Sequence, residues 1–270
     1  MNINELKQLL SSRTRLVALP HVSNLLGDIL DVQQMATLVH ENNPQTRLII
    51  DGVAYAPHRL IDVKAWNVDF YGFSFYKVYG PHISVLYGTK EAWLELTKAK
   101  AGSNHFFIPQ EDITYQYEVG CMNHEACAGI LALKKYFNKV FDQENTNEEM
   151  TRDKIERVFD VFSKLEQSLT ECLVKYLLTK PSVTLLGSKS YDSLIRVPTI
   201  SFISTKMLSA DIARVLHTNK IACRNGHMYA YRLVQALGLD MNDGVLRLSG
   251  LHYNTREEID KVIQILDSLL

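Results

Sequence analysis

The sequence predicts an α/β chain: a mainly parallel sheet with helices on both faces, followed by a smaller α+β unit. Three observations carry this. Between Arg15 and Tyr87, short β-rich runs alternate with a stretch at helical spacing. The window FDQENTNEEMTRDK at 141–154 is strongly polar, has no periodicity and marks a boundary. Beyond it the order changes to one long amphipathic helix and then strand-like runs separated by helices.

In chain order, RLVAL (15–19), RLII (47–50), VDFYGF (68–73) and ISVLYG (83–88) read as buried strands. DVQQMATLVHEN (31–42) places Val32, Met35, Ala36, Leu38 and Val39 near helical spacing and reads as a crossover helix. Such a βαβ layout calls for a sheet covered on both faces, with functional groups gathered beyond the carboxyl ends of its strands. After the polar window, Ile155, Val158, Phe159, Phe162, Leu165, Leu169, Cys172, Leu173 and Tyr176 share one helical face. SVTLL (182–186) and PTISFI (198–203) then read as strands, 209–218 as a helix and VLRLSG (245–250) as a strand. TREE opens the last helix as a capping box, with Thr255 as cap and Glu258 reaching back. The expected domains are residues 1–145 and 146–270.

Composition excludes several classes. With 29 basic against 30 acidic side chains the net charge is −1, so there is no electrostatic footprint for nucleic acid or an anionic membrane. No apolar run approaches the ~18 residues of a membrane span, and the N-terminus is a poor signal peptide. Cys121, Cys127, Cys172 and Cys223 form no CxxC pair and no zinc quartet, and the histidines show no metal-ligand spacing. A cytoplasmic protein with reduced thiols and no metal is expected.

Three polar residues stand at expected strand ends: Asn24 after the first, Asp51 ending the second and Lys77 after the third. A carboxylate and a lysine there can face one ligand, as pyridoxal phosphate requires. The cofactor's aldehyde needs an amine, its pyridine nitrogen an anion that keeps it protonated, and its phosphate hydroxyl and N–H donors. Ser74, three residues before Lys77, is one such donor.

The words around these residues resemble a known family. DGVAYAPH (51–58) and DFYGFSFYKVYGPHISVLYG (69–88) look like the heart of the class V aminotransferases, fold-type-I pyridoxal phosphate enzymes that include the cysteine desulfurases. YEVGCMNHEACAGILAL (117–133), RVPTISF (196–202), IACRNGHMYA (221–230) and GVLRLSGLHYNTREEID (244–260) continue the match across the chain. The resemblance implies an incomplete fold-type-I large domain and a small C-terminal domain, acting on an amino acid as lyase or transaminase, with a homodimer as the usual assembly. It implies that Lys77 joins the cofactor's aldehyde, Asp51 holds its ring nitrogen, Asn24 meets its phenolic oxygen and Ser74 binds phosphate. Arg247 would clamp the substrate's α-carboxylate through its planar fork. Tyr76, His82, His227 and Tyr229 lie within the motifs as packing or hydrogen-bonding groups around the site.

The departures have chemical consequences. Tyr229 stands where desulfurases keep a nucleophilic cysteine, and a phenol of pKa near 10 carries no persulfide, so a true desulfurase is not expected. Ala54 replaces the family's frequent Gln or His, and Gly120–Cys121 replaces a Gly-Thr that lends a hydroxyl to a neighbouring subunit. The chain opens near the family's Asn-bearing strand, so association with a missing N-terminal segment is the alternative to a homodimer. A truncated, non-catalytic remnant or one half of a split enzyme is the alternative function. Taken singly, Lys77 reads as a solvated loop lysine, Asp51 as a turn cap and Arg247 as a surface cation.

Overall fold

The computed structural model describes residues 3–98, 107–109, 111–118, 120–141 and 149–270. Part of the expected boundary window, 142–148, lies outside them. The chain forms two compact units: Met1–His21 with Asp31–Ile155, and Val22–Leu30 with Glu156–Leu270. It is α/β, with a mainly parallel sheet and helices.

The first unit runs α1 (Ile3–Leu9), β1 (Leu16–Pro20), α2 (Val32–Asn42), β2 (Arg47–Asp51), α3 (Val63–Trp66) and β3 (Phe70–Ser74). A 3-10 turn (Phe75–Lys77), β4 (Ser84–Gly88), α4 (Lys90–Lys98), α5 (Ile113–Tyr117), α6 (His124–Ile130) and α7 (Ala132–Phe141) follow. The sheet has the order β1-β2-β3-β4, with the first three strands parallel. The run expected as a further buried strand is β4, which pairs antiparallel with β3 and leaves Ser84, Val85 and Leu86 exposed. Its connection to β3 is too short for a crossover, which takes a dozen or more residues. On α2, Asp31 caps the first turn by accepting from the Gln34 N–H at 2.9 Å, and Val32, Met35, Ala36 and Val39 are buried as the spacing requires.

Covering of the sheet is uneven among the described residues. Val17, Leu19, Leu48 and Ile50 are buried, while their alternates Leu16, Ala18, Pro20 and Asp51 are exposed on the opposite face. Period two along a strand turns that difference into two faces, one packed and one open. The packed side is tied by Asp69, whose carboxylate accepts from Arg47 at 2.8 Å, the Leu48 N–H at 2.8 Å and His40 at 2.9 Å. Burial alone would raise the Asp69 pKa; these three donors hold it below its ordinary value. Arg47 also donates to Glu95 of α4 at 2.7 Å, so one ion network joins α2, β2, the start of β3 and α4.

The second unit holds α8 (Arg152–Leu178), β5 (Val183–Leu185), β6 (Thr199–Ser204), α9 (Ser209–Thr218), β7 (Arg224–Gly226), α10 (Tyr231–Ala236), β8 (Val245–Ser249) and α11 (Arg256–Asp267). Its sheet is antiparallel, in the order β5-β6-β8-β7. Leu173, Phe202, Ile212, Leu246 and Leu266 close the core between sheet and helices. The buried stripe of α8 runs through Phe162, Glu166, Leu169 and Leu173, which leaves Leu165, expected inside, on an exposed flank. The Thr255–Glu258 capping box is present at the start of α11.

Residues 22–30 belong to this second unit although they follow β1 directly. Arg196, almost fully buried, donates to the carbonyls of Ser188 (2.5 Å), Leu26 (3.1 Å) and Thr199 (2.7 Å). Ser201 Oγ donates to Leu25 O at 2.5 Å. Gly27 takes φ +77°, and a Cβ there would sit 2.2 Å from Thr199 O, so the close approach of the two backbones requires glycine. These bonds fix the position of Asn24 in the chain.

Candidate functional site

The residues singled out by sequence fall into two groups, one in each unit. In the first unit the open face of the sheet carries a hollow of about 550 Å³ lined by the carboxyl-terminal ends of β1, β2 and β3 and by the start of β4. Asp51 and Ser74 both line it. Register explains why: Asp51 pairs with Gly72, so Ser74 lies two residues further along the neighbouring strand on the same face. Gly72 adds no side chain between them.

Asp51 Oδ1 accepts from the Val53 N–H at 2.9 Å, an Asx turn that aims the carboxylate along the strand end. Oδ2 makes no hydrogen bond among the described residues. Ser74 Oγ shares a hydrogen bond of 2.9 Å with Ser84 Oγ, a partner across the β3–β4 pair that sequence reasoning did not find. Lys77 is exposed on the turn between those strands, which is closed by bonds from the Phe75 N–H to Ile83 O and from the Val78 and Gly80 N–H groups to Phe75 O. The lining of the hollow runs to Ser74 and resumes at Ser84, so Lys77 stands on the loop joining two of its walls. The rings of Tyr76 and His82 stack at 5.1 Å across that turn.

Behind Asp51 lies an aromatic cluster that the sequence did not reveal. His21, whose N–H donates to Asp51 O at 2.8 Å, stacks on Tyr55 with ring centroids 3.5 Å apart and meets Trp66 edge-on at 4.7 Å. Its Nδ1 shares a hydrogen bond of 2.9 Å with the Tyr71 hydroxyl. Burial drives the His21 pKa down to about 3, so the ring is neutral at physiological pH. Burial likewise pushes the Tyr55 phenol up to about 12 and Tyr71 higher still. The cluster is thus an uncharged wedge that seats the Asp51 backbone. Gly52 is obligatory beside it, because a Cβ would fall 2.1 Å from the Tyr71 ring.

In the second unit Asn24, Met228 and Arg247 form a chain of hydrogen bonds. Asn24 Nδ2 donates to Met228 O at 2.7 Å, and Arg247 Nη1 donates to Asn24 O at 2.8 Å. Met228 and Tyr229 both adopt positive φ, 50° and 63°, in a conformation that non-glycine residues take at a cost. The Asn24 bond and one from the Tyr229 N–H to His227 Nδ1 (3.2 Å) hold that strained pair. The Tyr229 side chain is 95% exposed at its tip. Arg247 Nε is buried without a hydrogen-bond partner. Burial first, and the neighbouring Arg224 second, lower the Arg247 pKa.

The aminotransferase class-V model matches residues 1–262. The chain belongs to that family. It is similar to the aminotransferase-like protein FGM3 of Gibberella zeae, 41% identical over 98% of this chain and 62% of the relative. It is also similar to the cysteine desulfurase-like protein ustD of Aspergillus flavus, 33% identical over 100% of this chain and 58% of the relative. The cysteine desulfurase CsdA of Escherichia coli shares the fold with a TM-score of 0.76, at 24% identity over 99% of this chain and 62% of that structure. The chain therefore spans about three fifths of the length of these relatives.

Members of the class V aminotransferase family are pyridoxal phosphate enzymes. The donor set of the first unit fits that cofactor: an exposed carboxylate with an unengaged oxygen, a serine hydroxyl on the same face and an amine on the adjoining loop. Of this chain's departures from the class V pattern, Tyr229 and Cys121 are both exposed. Among the described residues no group of His, Cys, Asp and Glu could hold a metal ion, and no helix is long and apolar enough to cross a membrane.

Proposed function

We propose that this chain is the greater part of a pyridoxal-phosphate-dependent enzyme of the desulfurase-like branch, acting on an amino acid by lyase or transaminase chemistry. The observation that carries the reading is the shared open face on which Asp51 and Ser74 line one hollow, with Lys77 on the loop that joins its walls. Residues 1–145 then serve as the cofactor-binding large domain and 146–270 as the small domain. When bound, the cofactor supplies an electron-accepting ring that stabilises negative charge at the substrate's α-carbon. Asp51 holds the ring nitrogen in its protonated form, because an anion beside it favours the charged state. Ser74 donates to the phosphate. Lys77 anchors the cofactor and then moves a proton at the α-carbon. Arg247 clamps the α-carboxylate through its guanidinium, whose Nη1 otherwise donates to Asn24 O.

Tyr229 argues against desulfuration. A phenol in place of the thiol at the tip of that loop carries no persulfide. We further propose a cytoplasmic enzyme that works as a homodimer or in association with further polypeptide over the open sheet face. The test is the absorbance of the purified protein saturated with pyridoxal phosphate. A band from bound cofactor that is absent in Lys77→Ala and weakened in Asp51→Ala supports the reading. Asn24 favours a second reading, a remnant that keeps the fold and not the cofactor, because its amide is spent on Met228 O. No band in the wild-type protein would select that second reading.

A further inference from the structure

Asp51, Ser74 and Ser84 are the polar side chains that line the hollow on the open sheet face; the rest of its lining is apolar or glycine. Ser84 is not among the residues that the sequence singles out. It stands directly opposite Ser74 in the antiparallel β3–β4 pair, and the two Oγ atoms are 2.9 Å apart. Neither hydroxyl makes another hydrogen bond among the described residues. Register sets Asp51 back from the level of Ser74 by two strand residues, roughly 6–7 Å. The hollow thus has a carboxylate end, which repels a phosphate, and a hydroxyl end, which can receive one.

The hydroxyl end has one hydrogen to give. A phosphate oxygen without a proton only accepts, so a serine that binds it must point its O–H at the ligand. The paired serines carry one hydroxyl hydrogen each, and their mutual bond takes one of the two. If Ser74 donated to Ser84, its hydrogen would be lost to the phosphate. With Ser84 as the donor, Ser74 Oγ accepts from its partner and keeps its own O–H for the ligand, in a chain whose bonds polarise and strengthen one another. Ser74 is the half-buried member, on the strand that pairs with the one bearing Asp51; Ser84 is exposed on the edge strand behind it.

We propose that Ser84 is a positioning residue for the cofactor's phosphate: it donates to Ser74 Oγ, fixes that hydroxyl and turns its hydrogen toward the phosphate. This rests on the reading of the hollow as a pyridoxal phosphate site. It adds a residue that acts through Ser74 and not by its own contact with the ligand.

Calorimetric titration of the whole chain with pyridoxine phosphate and pyridoxine tests this. Both lack the aldehyde, so neither needs Lys77, and they differ only in the phosphate ester. The wild type is expected to prefer pyridoxine phosphate. Ser84→Ala should weaken that ligand about three- to tenfold, the loss of one hydrogen bond, and leave pyridoxine as it was. Ser84→Thr keeps the hydroxyl and should keep the preference. In a double-mutant cycle Ser84→Ala should add little to Ser74→Ala, because the hydroxyl through which it acts is gone. A Ser84→Ala variant that binds like the wild type, equal losses for the two ligands, additive losses in the cycle, or binding of neither ligand by the wild type would overturn the proposal. A Lys77-dependent band with pyridoxal phosphate but no Ser84-dependent phosphate preference would fail this inference alone. The preference without such a band would fail the cofactor reading alone.

Discussion

At the scale of single residues, the neutral His21 makes an acid-sensitive seat for Asp51. Its pKa is about 3 in the fold against 6.5 for the free side chain, so between those values the unfolded chain binds a proton that the folded one refuses. Stability therefore falls as pH drops below 6.5 and levels off near 3, by up to about 1.4 kcal/mol per pH unit. Replacing His21 with Phe should flatten the decline of the urea midpoint between pH 6.5 and 4; an unchanged slope would show that the ring titrates normally. Gly52→Ala should cost about 1–3 kcal/mol, since the buried Tyr71 ring 2.1 Å from the new Cβ is held by His21 and Trp66 and must shift. Denaturant midpoints check it. Asp51, Ser74 and Lys77 are singled out by motifs at or just beyond strand ends, and Arg247 by a motif inside β8. His21 was legible as a letter only: it acquires its place from burial against the rings of Tyr55, Trp66 and Tyr71.

At the scale of elements, β-rich runs, periodicity and capping signals located every described strand but β7, and among the helices α2, α8, α9 and α11. The α2 spacing and the Thr255 capping box have their counterparts in buried positions and hydrogen bonds. Thr255→Ala should destabilise the second unit by about 1 kcal/mol, read from its thermal midpoint. The three-residue β7 escaped because a run of Arg-Asn-Gly has no alternation to detect; its strand character exists only in pairing with β8. The burial of β4 was over-read for a related reason, as an apolar run shows neither strand direction nor which face stays open. Asp69 likewise draws its importance from what converges on it. Asp69→Asn should cost about 2–3 kcal/mol through lost charged hydrogen bonds with Arg47 and His40, and a smaller change in urea midpoint would mean that the network is redundant.

At the scale of the whole molecule, the described residues of the first unit leave one sheet face open. Leu16, Ala18, Ile49 and Leu86 lie on it with Asp51 and Ser74, so apolar area and the cofactor-binding candidates share one surface. Apolar surface of this kind is covered in stable assemblies. Light scattering of the isolated chain should report association or poor solubility, and Leu16→Lys with Leu86→Lys should relieve it; a stable soluble monomer would contradict this. In the proposed reading, cofactor binding turns on the Lys77 amine. The most direct measurement is borohydride trapping of the protein with pyridoxal phosphate, followed by peptide mass mapping. The cofactor is expected as a covalent adduct on the peptide bearing Lys77 and on no other. Trapping spread over many lysines, or none at Lys77, would contradict the account.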